Sequence, residues 1–158
     1  MSERQVRPSR VPWPPLLYLA AIAASLGLNA LYTLPYLGPP LSDLLFAIGW
    51  LAIAAVVAID VAAFHTLRKA NTTVLPHRGA DHLVTDGPFS FTRNPIYLAN
   101  TLLMFGLGLV SGITWFFLLG LVAAFLTQKL AIEGEEQHLE IRFGKRYRDY
   151  AKRVRRWI

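Results

Sequence analysis

The chain has 158 residues, 54% of them hydrophobic, with a mean hydropathy of +0.38 and long charge-free runs, a combination that excludes an ordinary soluble domain. Its formal net charge is +6, but the bases lie beside apolar stretches, where lipid headgroups are a nearer anion than nucleic acid. There is no cysteine, which excludes disulfides, thiolate nucleophiles and cysteine-ligated metals or clusters.

The expectation is therefore an integral membrane protein, and its elements can be taken in order. Arg4, Arg7 and Arg10 form a short basic tail against Glu3, followed by Pro-Trp-Pro-Pro at 12 to 15 with Trp13 as an interfacial anchor. The run from Val11 to Ser42 is uncharged over 32 residues, too long for the core of a cleaved signal. A first span is predicted at about Leu16 to Leu34. Pro35-Tyr36-Leu37-Gly38-Pro39-Pro40 then breaks the helix and turns the chain back. A second span follows from about Leu41 to Leu67, with Asp43 at its start and Asp60 about a turn before His65, near an interface.

From His65 to Arg93 the chain is polar, and His77 and His82, lacking a matched carboxylate pattern, read as loop residues rather than metal ligands. Asn94 to Gln128 is 35 residues without a charge. As one helix that run would be about 52 Å long against a hydrocarbon core of roughly 30 Å. Two helices are predicted instead, about Ile96 to Val110 and Ile113 to Ile132, turning at Ser111-Gly112. Gly106 and Gly108 fit either close helix packing or a ligand site.

Glu133 to Ile158 is a charged helical extension. Leu139, Phe143, Tyr147, Tyr150, Val154 and Trp157 form one helical stripe, predicted to lie on the membrane or fold back over the other helices, with a break at Phe143-Gly144. All 16 Lys and Arg fall in the tail, in the connection between spans two and three, or from Lys129 onward. By the positive-inside rule both termini and the long loop are cytoplasmic. The fold class predicted is an all-α membrane protein of about four transmembrane helices with a cytoplasmic amphipathic C-terminal region. It forms a single domain: two spans and a loop over 1–86, then a helical hairpin and C-terminal helices over 87–158.

That topology gathers polar residues at one membrane surface: Asp60, Arg93 to Tyr97, Asn100, Gln128, Lys129 and the acids from Glu133 to Glu140. In Gly87 to Tyr97 a charged loop turns into an apolar helix. As an ordinary helix start, Asn94 would be the N-cap, Pro95 the first helical residue, and Arg93 and Tyr97 interface anchors; as a binding element, the same residues offer exposed amides and a fixed cation. Glu133, Glu135, Glu136 and Glu140 precede a stretch of eight bases with only Asp149 among them.

In order and spacing these motifs resemble the small integral-membrane methyltransferases, the group of isoprenylcysteine carboxyl methyltransferase and phosphatidylethanolamine N-methyltransferase. The resemblance rests on Gly-x5-Arg93-x-Pro95-x-Tyr97, a helical hairpin, then Glu135-Glu136-x-x-Leu139-x-x-x-Phe143-Gly144-x-x-Tyr147-x-x-Tyr150. It implies an S-adenosylmethionine site open to the cytoplasm and a lipid or lipidated acceptor arriving from the bilayer, with no metal. Arg93, Asn94, Pro95 and Tyr97 would match the first cofactor motif, Gly106 and Gly108 the glycine pair, and Glu135 with Glu136 the acidic pair. Tyr147 and Tyr150 join that cofactor set. The family often has His where this chain has Asn94, which can hydrogen-bond but not carry a proton at neutral pH. If the acceptor is an amine it needs a base, for which Glu135, Glu136 and Asp60 are the carboxylates at hand. Two other readings stay open: an NADPH-dependent reductase similar to the membrane sterol reductases, and a non-catalytic helical module that packs against partners.

Overall fold

A computed structural model describes residues 12–70 and 82–158. The basic tail with Arg4, Arg7 and Arg10, and the loop stretch with His77, lie outside them. Among the described residues the chain is helical throughout: α1 (Trp13–Leu31), α2 (Leu41–Lys69), a 3-10 turn (Gly87–Ser90), α3 (Pro95–Ser111), α4 (Trp115–Thr127), α5 (Glu133–Phe143) and α6 (Lys145–Arg153). Between α4 and α5 the backbone passes without interruption through a π-helical turn, Gln128–Ile132.

Three of these helices are long and apolar enough to cross a membrane: Trp13–Leu31, Leu41–Lys69 and the continuous Trp115–Phe143. α3, expected as a span of its own, is apolar but has only 17 residues, about 25 Å of helix. Their outward surfaces are what lipid would favour. Leu51 and Val61 of α2 are 70% and 64% exposed, and Phe125 of α4 is 60% exposed.

The boundaries follow local chemistry. α1 begins on Pro14 and Pro15, tolerated in a first turn because no amide partner is lost there. It ends at Leu31, three residues before the expected limit, with Tyr32 already extended. α3 begins on Pro95 and ends at Gly112, whose φ of 70° is left-handed and whose N–H closes on the Gly108 carbonyl at 2.9 Å.

Short as it is, α3 is the middle of the bundle, packed on α2, α4 and α1. Glycines bring it close. A Cβ on Gly106 would stand 2.9 Å from Ile53 Cγ1 of α2, and one on Gly108 would stand 2.9 Å from Phe117 Cζ of α4. At one end of the bundle Tyr36 Oη donates to the Leu109 carbonyl, and Trp115 Nε1 donates to the Tyr32 carbonyl at 2.8 Å. Near the other end Tyr18 of α1 shares a 2.6 Å hydrogen bond with Thr101, whose hydroxyl also donates to the Tyr97 carbonyl. The α1–α2 and α3–α4 connections therefore lie at one end and the starts of α1 and α3 near the other, as an antiparallel bundle requires.

Candidate functional site

The loop before α3 is held from two sides. Gly87 has a φ of +57°, and a Cβ there would meet Thr66 Oγ1 of α2 at 2.6 Å, so the 3-10 turn sits hard against the end of that helix. From the other side comes the chain's own C-terminal segment. Arg93 N–H donates to the Arg155 carbonyl at 3.0 Å, and the Arg156 carbonyl accepts from Asn94 Nδ2 at 2.9 Å and Thr92 Oγ1 at 3.3 Å. Asn94 stands at the N-cap position without capping, because its amide reaches across to residue 156.

This clamp delivers Arg93 to α5. Glu135 and Glu136 are neighbours on that helix, so their side chains leave it roughly 100° apart and do different work. Glu136 takes a bidentate contact from Arg156, Nε to Oε1 at 2.9 Å and Nη2 to Oε2 at 2.7 Å, and a second guanidinium from Arg93 at 3.2 Å. Arg93 also donates to the Tyr147 hydroxyl at 3.2 Å, while its Nε is buried without a partner. Glu135 faces the other way and accepts a 2.7 Å hydrogen bond from the Tyr97 hydroxyl.

α6 completes the wall. Tyr147, Tyr150 and Val154 are buried together against Leu83, Leu139 and Phe143, so this apolar stripe folds back on the protein. Tyr150 donates to the Phe89 carbonyl at 2.6 Å, tying α6 to the 3-10 turn. Burial and the nearby Glu136 carboxylate push the Tyr147 phenol up to about 12 against the opposing pull of Arg93, and burial raises Tyr150 too. Both remain neutral donors near pH 7. The stripe does not run to Trp157 as one helix: α6 stops at Arg153, Val154 is extended, and Trp157 Nε1 instead donates to Gln128 Oε1 at 2.9 Å. Gln128 opens the π-turn, an irregularity that changes the direction in which the α5 side chains leave the helix.

Between α5 and α6 lies an open cavity of about 490 Å³, within the roughly 300–1,000 Å³ usual for small-molecule sites. Glu133, Glu136 and Glu140 face Arg93, Arg148, Lys152 and Arg156 across it, with Tyr147 at the side. Both signs of charge therefore converge on one space.

Of the residues singled out in the sequence, Arg93, Glu136 and Tyr147 line this cavity, and Tyr97 with Glu135 forms a pair beside it. Asn94 and Pro95 shape the backbone at the start of α3. Gly106 and Gly108 lie eleven and thirteen residues beyond Pro95, about 16 and 20 Å along the helix, in contact with α2 and α4. Asp60 is outside the cavity lining: it falls on the α2 stripe of Val56 and Ala63, and its Oδ1 is buried without a hydrogen-bond partner. His82 is exposed, and among the described residues no cluster of three or more His, Asp and Glu suits a metal.

Nothing in the sequence singles out Arg156, one of the eight bases between residues 142 and 156. Only the reversal at Gly144, with a φ of 52°, and the return of the terminal segment bring it to Glu136.

A family model described as phospholipid methyltransferase matches residues 44–146, from the first turn of α2 to the first turn of α6. Comparison with curated proteins and with solved structures returns no match.

Proposed function

The chain belongs to the phospholipid methyltransferase family, and from that premise we propose that it methylates a lipid or lipidated acceptor, using S-adenosylmethionine, at the cytoplasmic membrane face. The observation that carries this reading is the Arg93–Glu136–Arg156 cluster on the wall of a cavity lined by both signs of charge.

The residues suit the cofactor's chemistry. S-adenosylmethionine is a zwitterion with an additional sulfonium charge, and it supplies the electrophilic methyl group. Arg93, whose buried Nε lacks a partner, and Arg156 present guanidinium N–H groups to a carboxylate. Glu133 and Glu140 offer acceptors for an ammonium, and the neutral Tyr147 offers a ring and a hydroxyl. Tyr97 and Glu135 lie next to this cavity rather than in it, and we assign them to the acceptor. Glu135 Oε1 holds the Tyr97 hydroxyl, leaving Oε2 to take a proton from an attacking amine. Glu136 is not placed for this, because both its oxygens are already engaged by the guanidiniums of Arg156 and Arg93. Gly106 and Gly108 act in helix packing, not at the cofactor. Alignment of the two reactants and exclusion of water supply the remaining catalysis.

An NADPH-dependent reductase is the competing reading, and the phospholipid methyltransferase match does not favour it. Thermal unfolding separates the readings. S-adenosylhomocysteine at a hundred times its Kd should stabilise the protein by about 2.7 kcal/mol, seen as a higher Tm, and NADPH should not. Stabilisation by NADPH alone would replace this proposal with the reductase.

The cytoplasmic orientation, with α3 as a fourth and short span, rests on the 16 bases, none of which lies between Val11 and Leu67. In this cysteine-free chain Gly38→Cys should react with an impermeant thiol reagent from outside, and Lys145→Cys only after permeabilisation. The reverse pattern would invert the topology.

A further inference from the structure

We propose that the outer face of α6 is a docking surface for the headgroups of anionic lipids. The inner face of this helix is occupied, because Tyr147 and Tyr150 are buried on Leu83, Leu139 and Phe143. What faces outward is basic: Lys145, Arg146 and Arg153 of α6 and Arg155 just beyond it are all exposed, and Asp149 is the single acid among the residues from 145 to 155.

The acids of α5 do not neutralise these four. Glu136 is taken by Arg93 and Arg156, Glu140 by Arg148 at 3.6 Å, and Glu133 by Lys129. Among the described residues none of the four forms an ion pair; Arg153 reaches only the backbone carbonyl of Asp149. Asp149 is one acid against these four bases, and the surplus positive charge calls for an external counterion.

Depth decides which anion. The Arg155 carbonyl accepts from Arg93 N–H, two residues before the apolar α3, and Trp157 bonds Gln128 where the apolar run of α4 ends. The end of α6 is thus anchored where hydrophobic helices begin and end, which is headgroup depth. Ile158, at 77% exposure, and Phe91, at 51%, flank it with apolar surface. Charge complementarity at that depth fits a bilayer rich in anionic headgroups, and a soluble polyanion would gain nothing from the apolar flank.

The test uses the full chain in nanodiscs of phosphatidylcholine with a small fraction of spin-labelled phosphatidylglycerol or phosphatidylcholine. The protein should favour the anionic probe roughly tenfold at low salt and lose most of that preference at about 0.5 M salt. Replacing Lys145, Arg146, Arg153 and Arg155 together by Gln should abolish the preference, and Lys145→Glu/Arg146→Glu should reverse part of it. Cofactor-dependent stabilisation should persist in both variants, so a failure here leaves the methyltransferase reading untouched. An unchanged preference in the variants, or binding of an oligonucleotide through these bases without any lipid preference, would overturn the proposal.

Discussion

Glu135→Gln is expected to lower the rate of methyl transfer to an amine acceptor by about 10² to 10⁴ while leaving S-adenosylmethionine affinity nearly unchanged. The separation follows from where the side chain points. Glu135 shares its hydrogen bond with Tyr97, at the start of the central helix, and does not line the charged cavity. A protonated amine must lose a proton before it can attack a sulfonium methyl group, and Gln keeps the shape of Glu without the basicity. Tyr97→Phe should cost less, because it loosens the carboxylate without removing it. The same reasoning sets a pH profile: with saturating cofactor the wild-type rate should rise through about pH 7 to 9 as the amine deprotonates. A profile flat from about pH 6 to 8, with turnover of a prenylated cysteine analogue, would identify a carboxylate acceptor, and Glu135→Gln would then be nearly silent. Turnover that follows amine deprotonation and survives Glu135→Gln would take the base away from this residue.

The opposite split is expected at Glu136. Glu136→Gln and Arg93→Ala should each weaken cofactor binding by roughly tenfold to a hundredfold, as loss of a charge-assisted contact of about 1.5 to 3 kcal/mol implies. Glu136 does not act on its own. Its two oxygens hold two guanidiniums, with Arg93 and Glu136 side chains only 15% and 17% exposed, so removing its charge leaves two cations mutually repelled on the cavity wall. Arg156→Ala should therefore resemble Arg93→Ala, although residue 156 lies beyond the stretch that matches the family. Titration by calorimetry, with thermal unfolding as a check on folding, gives the answer. Unchanged affinity in all three variants would move the cofactor out of this cavity.

The glycines show how far a local reading reaches. Gly106 and Gly108 fit close packing or a ligand equally well in the sequence, since each needs the absence of a side chain. In the structure what fills the space is Ile53 for one and Phe117 for the other. The acidic pair behaves in the same way. Adjacent carboxylates read as a unit, but a helix turns them apart, and the π-turn at Gln128–Ile132 sets how each is aimed.

What the sequence determined by itself was the helical, membrane-spanning character of the chain and most of its breaks. Hydropathy acts over a single helix and proline and glycine over a single turn, so the stretch at Pro35 to Pro40, the Ser111-Gly112 turn and the reversal at Gly144 need no distant partner. The tertiary structure alone decided that α3, the shortest of the apolar helices apart from α4 without its extension, is the central one, and that Asp60 stands apart from the other acids. It also decided the partners of Arg93. Arg156 is 63 positions away, and nothing local marks it among eight bases; only the return of the terminal segment, fixed by hydrogen bonds from Thr92, Arg93 and Asn94, makes it the second guanidinium on Glu136.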